Sequence, residues 1–162
     1  MIGKIKVVLG KENEITEWMD LVKQINDQFP GLKTKEEIEK HREEVLLFMS
    51  RHEAYCVKMD HKIVGEILFS RKHNKICFLG VAKEYRRNGI ARDLLLEAMV
   101  TMDRTQDITV STFCEDDENG AAARALYKKL GFVEGKNTEE FGYPCQILVL
   151  HPKVVFKPGH NY

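Results

Sequence analysis

Three arginines and one glycine stand at the entrance of an expected helix in the stretch YRRNGIARDLLLEAM, Tyr85–Met99. Arg86 and Arg87 precede the helix, and Arg92 lies one turn inside it. The N-terminus of a helix is the positive end of its dipole and ordinarily favours Asp or Glu. A bound anion would remove this conflict, because free main-chain N–H groups bind phosphate there and arginine contacts phosphate in a bidentate manner. Gly89 would let such a ligand approach the main chain closely.

The alternative for this stretch is a solvated turn whose arginines only cover the surface. The local order favours the anion site, because an expected strand, Lys75–Val81, leads through a short turn into the helix, as phosphate-binding loops require. No G-K-[ST] follows Gly89, and only one glycine of G-x-G-x-x-G is present. The stretch therefore differs from both the Walker A loop and the dinucleotide fingerprint.

Composition indicates one soluble globular domain. The chain has 162 residues, is 43% hydrophobic and 31% charged, and has a formal net charge of zero. We expect one domain over residues 1–150, with 151–162 as a tail that is part of it or appended to it. The charge balance argues against a nucleic-acid partner, and no apolar run reaches the ~18 residues of a membrane span. The expected location is cytoplasmic.

The cysteines and histidines show no metal-ligand spacing. We expect the cysteines to be buried, reduced thiols, as is usual in a cytosolic protein. They are Cys56, Cys77, Cys114 and Cys145.

Hydrophobic periodicity predicts the element order β-α-α-β-β-β-α-β-α-β-β, an α/β (α+β) domain around one mixed sheet. A Thr34–Glu37 capping box starts the second helix, and Asp60-His61 joins two strands into a hairpin. The predicted strands are Lys4–Leu9, Ala54–Met59, Ile63–Ser70, Lys75–Val81, Ile108–Phe113, Phe132–Gly135 and Gln146–Leu150. The predicted helices are Asn13–Phe29, one after Thr34, one from Ile90, and Asn119–Leu130.

Two stretches resemble the signatures of the GNAT N-acetyltransferase superfamily. In LGVAKEYRRNGIA, Leu79–Ala91, the residues Arg86, Gly89 and Ala91 occupy the three specified positions of the acyl-CoA signature [RQ]-x-x-G-x-[GA]. RALYKKLGF, Arg124–Phe132, is similar to the second signature of that family. Together with the element order, the resemblance covers most of the chain and implies a three-layer domain, with about six to seven strands flanked by about four helices.

The resemblance implies acetyl-CoA as acyl donor and no metal. Main-chain N–H groups from Arg86 to Arg92, called the arginine turn below, would hold the pyrophosphate. The strand ending at Val81 would pair with the pantetheine arm as an added strand does. The family commonly has an asparagine seven residues before the signature tyrosine, but here that position is Gly120 and the nearest asparagine is Asn119. The cofactor-binding residues so implied are Leu79, Val81, Arg86, Arg87, Asn88, Gly89, Ile90, Ala91, Arg92 and Asn119.

By the same resemblance Tyr127 protonates the leaving thiolate, a role that suits a hydroxyl with an ordinary pKa of ~10. Family members often carry a glutamate as general base on the strand equivalent to Lys75–Val81, which here has no carboxylate. The neighbouring strand offers Glu66, which is either exposed at an edge and inert or buried and functional. His73 and Glu115 are weaker candidates for the base.

The sequence thus predicts an acetyl-CoA-dependent N-acetyltransferase in which a primary amine attacks the thioester directly. The alternative is a catalytically silent acyl-CoA-binding or interaction module on the same fold. The acceptor would be a small-molecule or peptide amine, bounded by the loop Phe29–Lys35, the first two helices and the segment Lys136–Pro144. A homodimer is compatible with the sequence.

Overall fold

Seven strands and four α-helices make up the part of the chain described by the computed structural model, residues 3–115, 117 and 120–153. The predicted α/β class and element order are confirmed. The strands are β1 (Val7–Leu9), β2 (Ala54–Met59), β3 (Lys62–Ser70), β4 (Lys75–Val81), β5 (Ile108–Phe113), β6 (Val133–Glu140) and β7 (Tyr143–Leu150). The helices are α1 (Ile15–Ile25), α2 (Lys35–Ser50), α3 (Ile90–Val100) and α4 (Ala121–Lys129).

The helix termini follow local chemistry. The Thr34 hydroxyl accepts a hydrogen bond from the Glu37 N–H, and the Glu37 carboxylate accepts one from the Thr34 N–H, so the predicted capping box starts α2. Helix α1 is shorter than the predicted Asn13–Phe29, because both ends tighten into 3₁₀ turns, Glu12–Glu14 and Asn26–Gln28. The second of these turns opens the connection to α2.

All seven strands belong to one sheet, with the order β1-β2-β3-β4-β5-β7-β6. Neighbours are antiparallel except β4 and β5, which run parallel. Only Lys75↔Thr109 and Ile76↔Val110 pair across the parallel junction. Beyond Ile76 the two strands diverge, and the carboxyl-terminal half of β4 has no partner on that side among the described residues.

Two glycines reveal which helix covers each face of the sheet. A Cβ built on Gly65 in β3 would come 2.5 Å from Ile90 of α3, whereas one built on Gly80 in β4 would come 2.5 Å from Ile25 of α1. Helices α3 and α1 therefore lie on opposite faces. The face covered by α1 is called the α1 face below.

The last two strands are longer than predicted. The prediction of Phe132–Gly135 and Gln146–Leu150 left the segment between them as a loop, but most of it is paired, and only Phe141-Gly142 turns the chain, with φ values of 53° and 78°. Polar residues of β6 concealed the strand, because an edge strand facing water on both sides has no apolar alternation. The predicted tail from residue 154 onward lies outside the described residues.

None of the described helices is long and apolar enough to cross a membrane.

Candidate active site

The turn before α3 exposes a row of unused main-chain donors. The N–H groups from Arg87 to Arg92 donate no hydrogen bond to a described residue, and α3 has no side-chain cap. Gly89 is the N-cap residue, with φ at 83°, and a Cβ built on it would meet no atom within 4 Å. Open space in front of free donors at a helix N-terminus suits a phosphate group.

Arg86 does not point into this space. Its Nε donates to the Val81 carbonyl at 3.2 Å, and its Nη2 donates to Gln28 Oε1 at 2.6 Å. In this conformation the guanidinium braces the turn against the α1–α2 connection, and its contact with phosphate stays a prediction. Arg87 has φ at 65° and is exposed, and Arg92 Nη1 lies 3.5 Å from Asp93 Oδ1, so neither side chain contacts the α1–α2 connection as Arg86 does.

The diverging edge of β4 offers main-chain groups to an extended ligand. The Ala82 N–H donates to the Val64 carbonyl of β3 at 2.8 Å. The space between the diverging halves of β4 and β5 is called the gap below. Since main-chain groups alternate sides along a strand, Leu79 and Val81 direct theirs towards this gap. The Val81 carbonyl is occupied by Arg86, so the Val81 N–H and both groups of Leu79 remain for a strand-like partner.

Tyr127 lies in α4 and is 4% exposed. Its ring centroid is 5.5 Å from that of Phe132. Burial raises the pKa of Tyr127, so the hydroxyl keeps its proton at neutral pH. Such a group is a hydrogen-bond donor at neutral pH, and burial opposes the phenolate that full proton transfer would leave.

A buried arginine attaches α4 to the diverging end of β5. Arg124, 4% exposed, donates to the Phe113 carbonyl at 3.1 Å, to Gln146 at 2.9 Å and to Glu134 at 2.8 Å. The arginine lies three residues before Tyr127 and so shares its side of the helix. Sequence reasoning missed this positioning role, since none of the three partners is near Arg124 in the chain.

The glycine at the family's asparagine position has a steric reason. A Cβ built on Gly120 would come 2.6 Å from the Phe113 Cβ, so a side chain there would collide with the end of β5. Asn119, the neighbouring candidate for a cofactor contact, lies outside the described residues.

Glu66 is fully buried, with 0% exposure, and is not at an exposed edge. It pairs with Gly80 of β4 and with Cys56 of β2, which places it on the α1 face. Both carboxylate oxygens lack a hydrogen-bond partner, and burial raises the pKa of Glu66 well above its ordinary value. Burial therefore favours the neutral carboxyl, and the side chain becomes a proton acceptor only above that raised pKa.

The other candidates for the base differ in position. His73 lies in the β3–β4 turn, at the paired end of β4 and away from the gap. Glu115 is exposed just after β5, near the diverging end. His41, which the sequence did not single out, has a buried Nε2 without a partner and a ring 5.1 Å from that of Phe78 in β4. Burial lowers the pKa of His41 to about 4, so its imidazole is neutral at neutral pH.

Two segments meet over the gap. The α1–α2 connection approaches β4 through Phe29, whose ring centroid is 4.6 Å from that of Phe78. The same connection meets the β6–β7 turn, because a Cβ built on Gly31 would come 2.5 Å from the Phe141 ring. The two segments expected to bound the acceptor, the loop Phe29–Lys35 and the segment Lys136–Pro144, therefore contact each other.

The four cysteines are unpaired, as expected. Cys56 and Cys145 are buried and Cys114 is half-buried, but Cys77 is exposed, so the expectation of burial is wrong for that residue. A shift in β-pairing explains its exposure, since Leu68 pairs with Phe78 and Phe69 with Ile76, which leaves Cys77 unpaired in a bulge. Among the described residues no group of histidine, cysteine and carboxylate side chains could hold a metal ion.

Comparison with known families assigns this arrangement of sheet, turn and helix. Residues 50–134 match the family described as the acetyltransferase (GNAT) domain, and the match covers the hairpin, β4, the arginine turn, α3, β5 and α4. The chain belongs to the GNAT acetyltransferase family and is an acyltransferase. Comparison with curated proteins gives no match.

Solved structures support the same fold. A GNAT acetyltransferase from Bacillus cereus ATCC 10987 is 18% identical, with a TM-score of 0.70, covering 94% of this chain and 100% of its own. The PaiA N-acetyltransferase from Thermoplasma acidophilum, in complex with coenzyme A, is 18% identical, with a TM-score of 0.66 and coverages of 92% and 99%. Naa50 from Arabidopsis thaliana, in complex with the bisubstrate analogue CoA-Ac-MVNAL, is 16% identical, with a TM-score of 0.68 and coverages of 91% and 98%.

Proposed function

We propose that the protein transfers the acetyl group of acetyl-CoA to a primary amine. The observation that carries this proposal is the row of unused N–H donors from Arg87 to Arg92 beside the open space at Gly89, one turn after a strand edge that lacks a partner. The family assignment and the coenzyme A bound to the PaiA structure support the same donor. Acetyl-CoA supplies an activated thioester carbonyl that the amine attacks directly.

Different residues would contact different parts of the bound acetyl-CoA. The donors of the turn would hold the pyrophosphate, and the main chain of Leu79 with the Val81 N–H would hold the pantetheine arm in the gap. A main-chain N–H at the diverging strand edge would stabilise the charge that develops on the carbonyl oxygen. No cysteine is required, since the amine forms the new bond itself.

Proton movement completes the reaction. The amine nitrogen forms the amide bond, the carbon–sulfur bond breaks, the amine loses a proton and the thiolate gains one. We assign the proton donated to sulfur to Tyr127, which burial keeps protonated. We assign acceptance of the amine proton to Glu66 acting through water, because it is an unpartnered carboxyl one strand from the gap, on the face of the α1–α2 connection.

Calorimetry with acetyl-CoA and CoA tests the binding site. Wild-type protein should bind both, and Gly89→Val should abolish binding, because its side chain would fill the open space and valine strongly resists a φ of 83°. Gly3→Val, at an exposed glycine with nothing within 4 Å, is the matched control and should bind normally. Unchanged CoA affinity in folded Gly89→Val would refute the assignment of the turn.

An amine panel assayed by release of free thiol tests the chemistry. The panel includes small amines and peptides with a free N-terminus, since the ligand of Naa50 links CoA to a peptide. Turnover of any primary amine, with one equivalent of CoA released per amide formed, is the expected result. Tight CoA binding without turnover of any amine would instead indicate a silent binding module.

A further inference from the structure

Phe141 combines two unfavourable features in the β6–β7 turn. Its φ is 53°, a conformation that bulky side chains rarely adopt, and its side chain is 70% exposed. Asn or Gly at this position would relieve the backbone strain, and a polar residue would remove the exposed apolar surface. Since backbone strain of this kind concentrates at functional sites, the position points to a role outside folding.

The Phe141 ring reaches across to the other side of the gap. A Cβ built on Gly31 would come 2.5 Å from both Cδ2 and Cε2 of the ring, so the ring lies directly on the Gly31 main chain. One edge of the ring is held there while most of its surface stays open to solvent. The ring thus forms an apolar wall where the two segments meet over the gap.

Further aromatic rings flank the diverging strands below this wall. Phe29 packs on Phe78 of β4, at 4.6 Å between centroids. On the other side, Tyr143 meets Phe113 of β5 edge to face, at 5.2 Å. Both strands of the gap therefore carry aromatic pairs on their diverging halves.

Acidic groups accompany the rings. The Glu139 Oε1 lies 3.8 Å from a Cβ built on Gly142, next to Phe141, and the Tyr143 hydroxyl donates to Asp117 at 2.6 Å. Carboxylates attract an ammonium group, and aromatic faces attract both a cation and a flat apolar group. This chemistry suits an acceptor that carries both an ammonium group and a flat apolar group.

We propose that Phe141 determines acceptor specificity, by packing against an aromatic ring a few bonds from the acceptor amine. This inference rests on the proposed function and narrows its substrate class. The same chemistry occurs in a free arylalkylamine and at a peptide N-terminus that begins with an aromatic residue.

The test compares kcat/KM between paired probes that differ by the ring. One arm uses 2-phenylethylamine against n-propylamine, and the other uses a peptide beginning with Phe against the same peptide beginning with Ala. We expect at least one pair to favour the aromatic member by about tenfold or more, the range of an apolar subsite. The arm with the larger preference identifies the source.

Two variants remove the ring in different ways. Phe141→Asn suits the positive φ and Phe141→Ala does not, so agreement between them separates loss of the ring from backbone strain. Both should lower the preference about tenfold without changing CoA affinity. Val133→Ala, which truncates an exposed apolar side chain near the opposite end of β6, is the matched control and should keep the preference.

Two outcomes overturn the inference. A wild-type enzyme that prefers the aromatic member of neither pair has no aromatic subsite, and an unchanged preference in both variants removes Phe141 from it. If CoA binds but no probe is acetylated, saturation-transfer NMR tests whether 2-phenylethylamine or the Phe peptide binds to the CoA complex. A signal lost in Phe141→Asn supports the subsite, and no wild-type signal refutes it. Failure of CoA binding is seen separately by calorimetry and removes the proposed function as well.

Discussion

At the residue scale, Tyr127 is the proposed source of the proton that the leaving thiolate gains. Burial raises its pKa, so the hydroxyl keeps its proton at neutral pH, and burial opposes the phenolate that full transfer would leave. A group of this kind gains its importance from a ligand that it meets.

Tyr127→Phe should lower kcat by about 10²-fold, the lower range for loss of a positioned proton donor. The CoA affinity measured by calorimetry and the midpoint of thermal unfolding should stay close to wild type. Steady-state kinetics on the amine of the panel that wild type acetylates fastest measure kcat. Wild-type kcat in Tyr127→Phe would mean that water protonates the thiolate and that the tyrosine only fills space.

Glu66→Gln should lower kcat and flatten the acid limb of its pH profile. The carboxyl must lose its proton before it can accept one, and burial raises its pKa, so wild-type kcat should rise with pH through that raised pKa. Glu53→Gln is the matched control, because Glu53 is also buried but accepts a hydrogen bond from the Arg71 N–H at the paired end of the sheet. An acid limb that persists in Glu66→Gln assigns the titration to another group.

At the element scale, the turn before α3 joins both halves of the site. Arg86 ties it to the end of β4 and to the α1–α2 connection, and Lys83 adds an exposed ion pair with Asp27 at 3.7 Å. The connection in turn carries Gly31, on which the Phe141 ring lies. Contacts thus run from the expected pyrophosphate site to the expected acceptor site.

The variants Arg86→Met and Arg87→Met should distinguish two roles of these arginines: bracing the turn before α3, and attracting the anionic cofactor by charge. Arg86→Met leaves the Gln28 and Val81 oxygens without their donor, so amide hydrogen exchange across residues 26–34 should accelerate, with a stability loss of about 1 kcal/mol. Arg87→Met should leave that exchange unchanged and weaken CoA binding in a salt-dependent manner. Equal exchange profiles for the two variants would rule out the bracing role. Mass spectrometry of peptides from the connection supplies the measurement.

At the scale of the whole molecule, the α1 face buries titratable groups without partners. His41 has its pKa lowered to about 4 from an ordinary 6.5, whereas the pKa of Glu66 is raised. For His41 the unfolded chain binds a proton more readily than the folded chain, so folding loses stability as pH falls from 6.5 towards 4. For Glu66 the folded chain binds the proton more readily, so stability falls as pH rises above the ordinary carboxyl value.

His41→Phe should therefore reduce acid sensitivity. The free energy of unfolding of wild type, relative to the variant, should fall with decreasing pH between 6.5 and 4. The slope should approach about 1.4 kcal/mol per pH unit where only the unfolded state is protonated. Denaturant titrations at pH 7, 6 and 5 measure it. Parallel stability curves for the two proteins would show that His41 keeps an ordinary pKa in the fold.

Much of the fold could be predicted because its signals are local. The bounds of β2, β4 and β5, the capping box of Thr34 and Glu37, and the Asp60-His61 turn follow from a few adjacent residues. The arginine turn belongs to the same class, since a basic, glycine-containing helix entrance is visible over seven residues. The part of strand β6 after Gly135 escaped prediction because its polar sequence carries no apolar period.

By itself the sequence determined the elements, their order and the residues that could bind an anion or move a proton. The tertiary structure alone decided which of those residues have partners. It directs Arg86 to Gln28, 58 positions away, and buries the Glu66 carboxyl and the His41 Nε2 without hydrogen-bond partners. It also lays the Phe141 ring on Gly31, which is far from it in sequence. The physical reason is that propensities and caps act over one turn or one hairpin, whereas burial, pKa and partner choice depend on distant segments that only the packed sheet brings together.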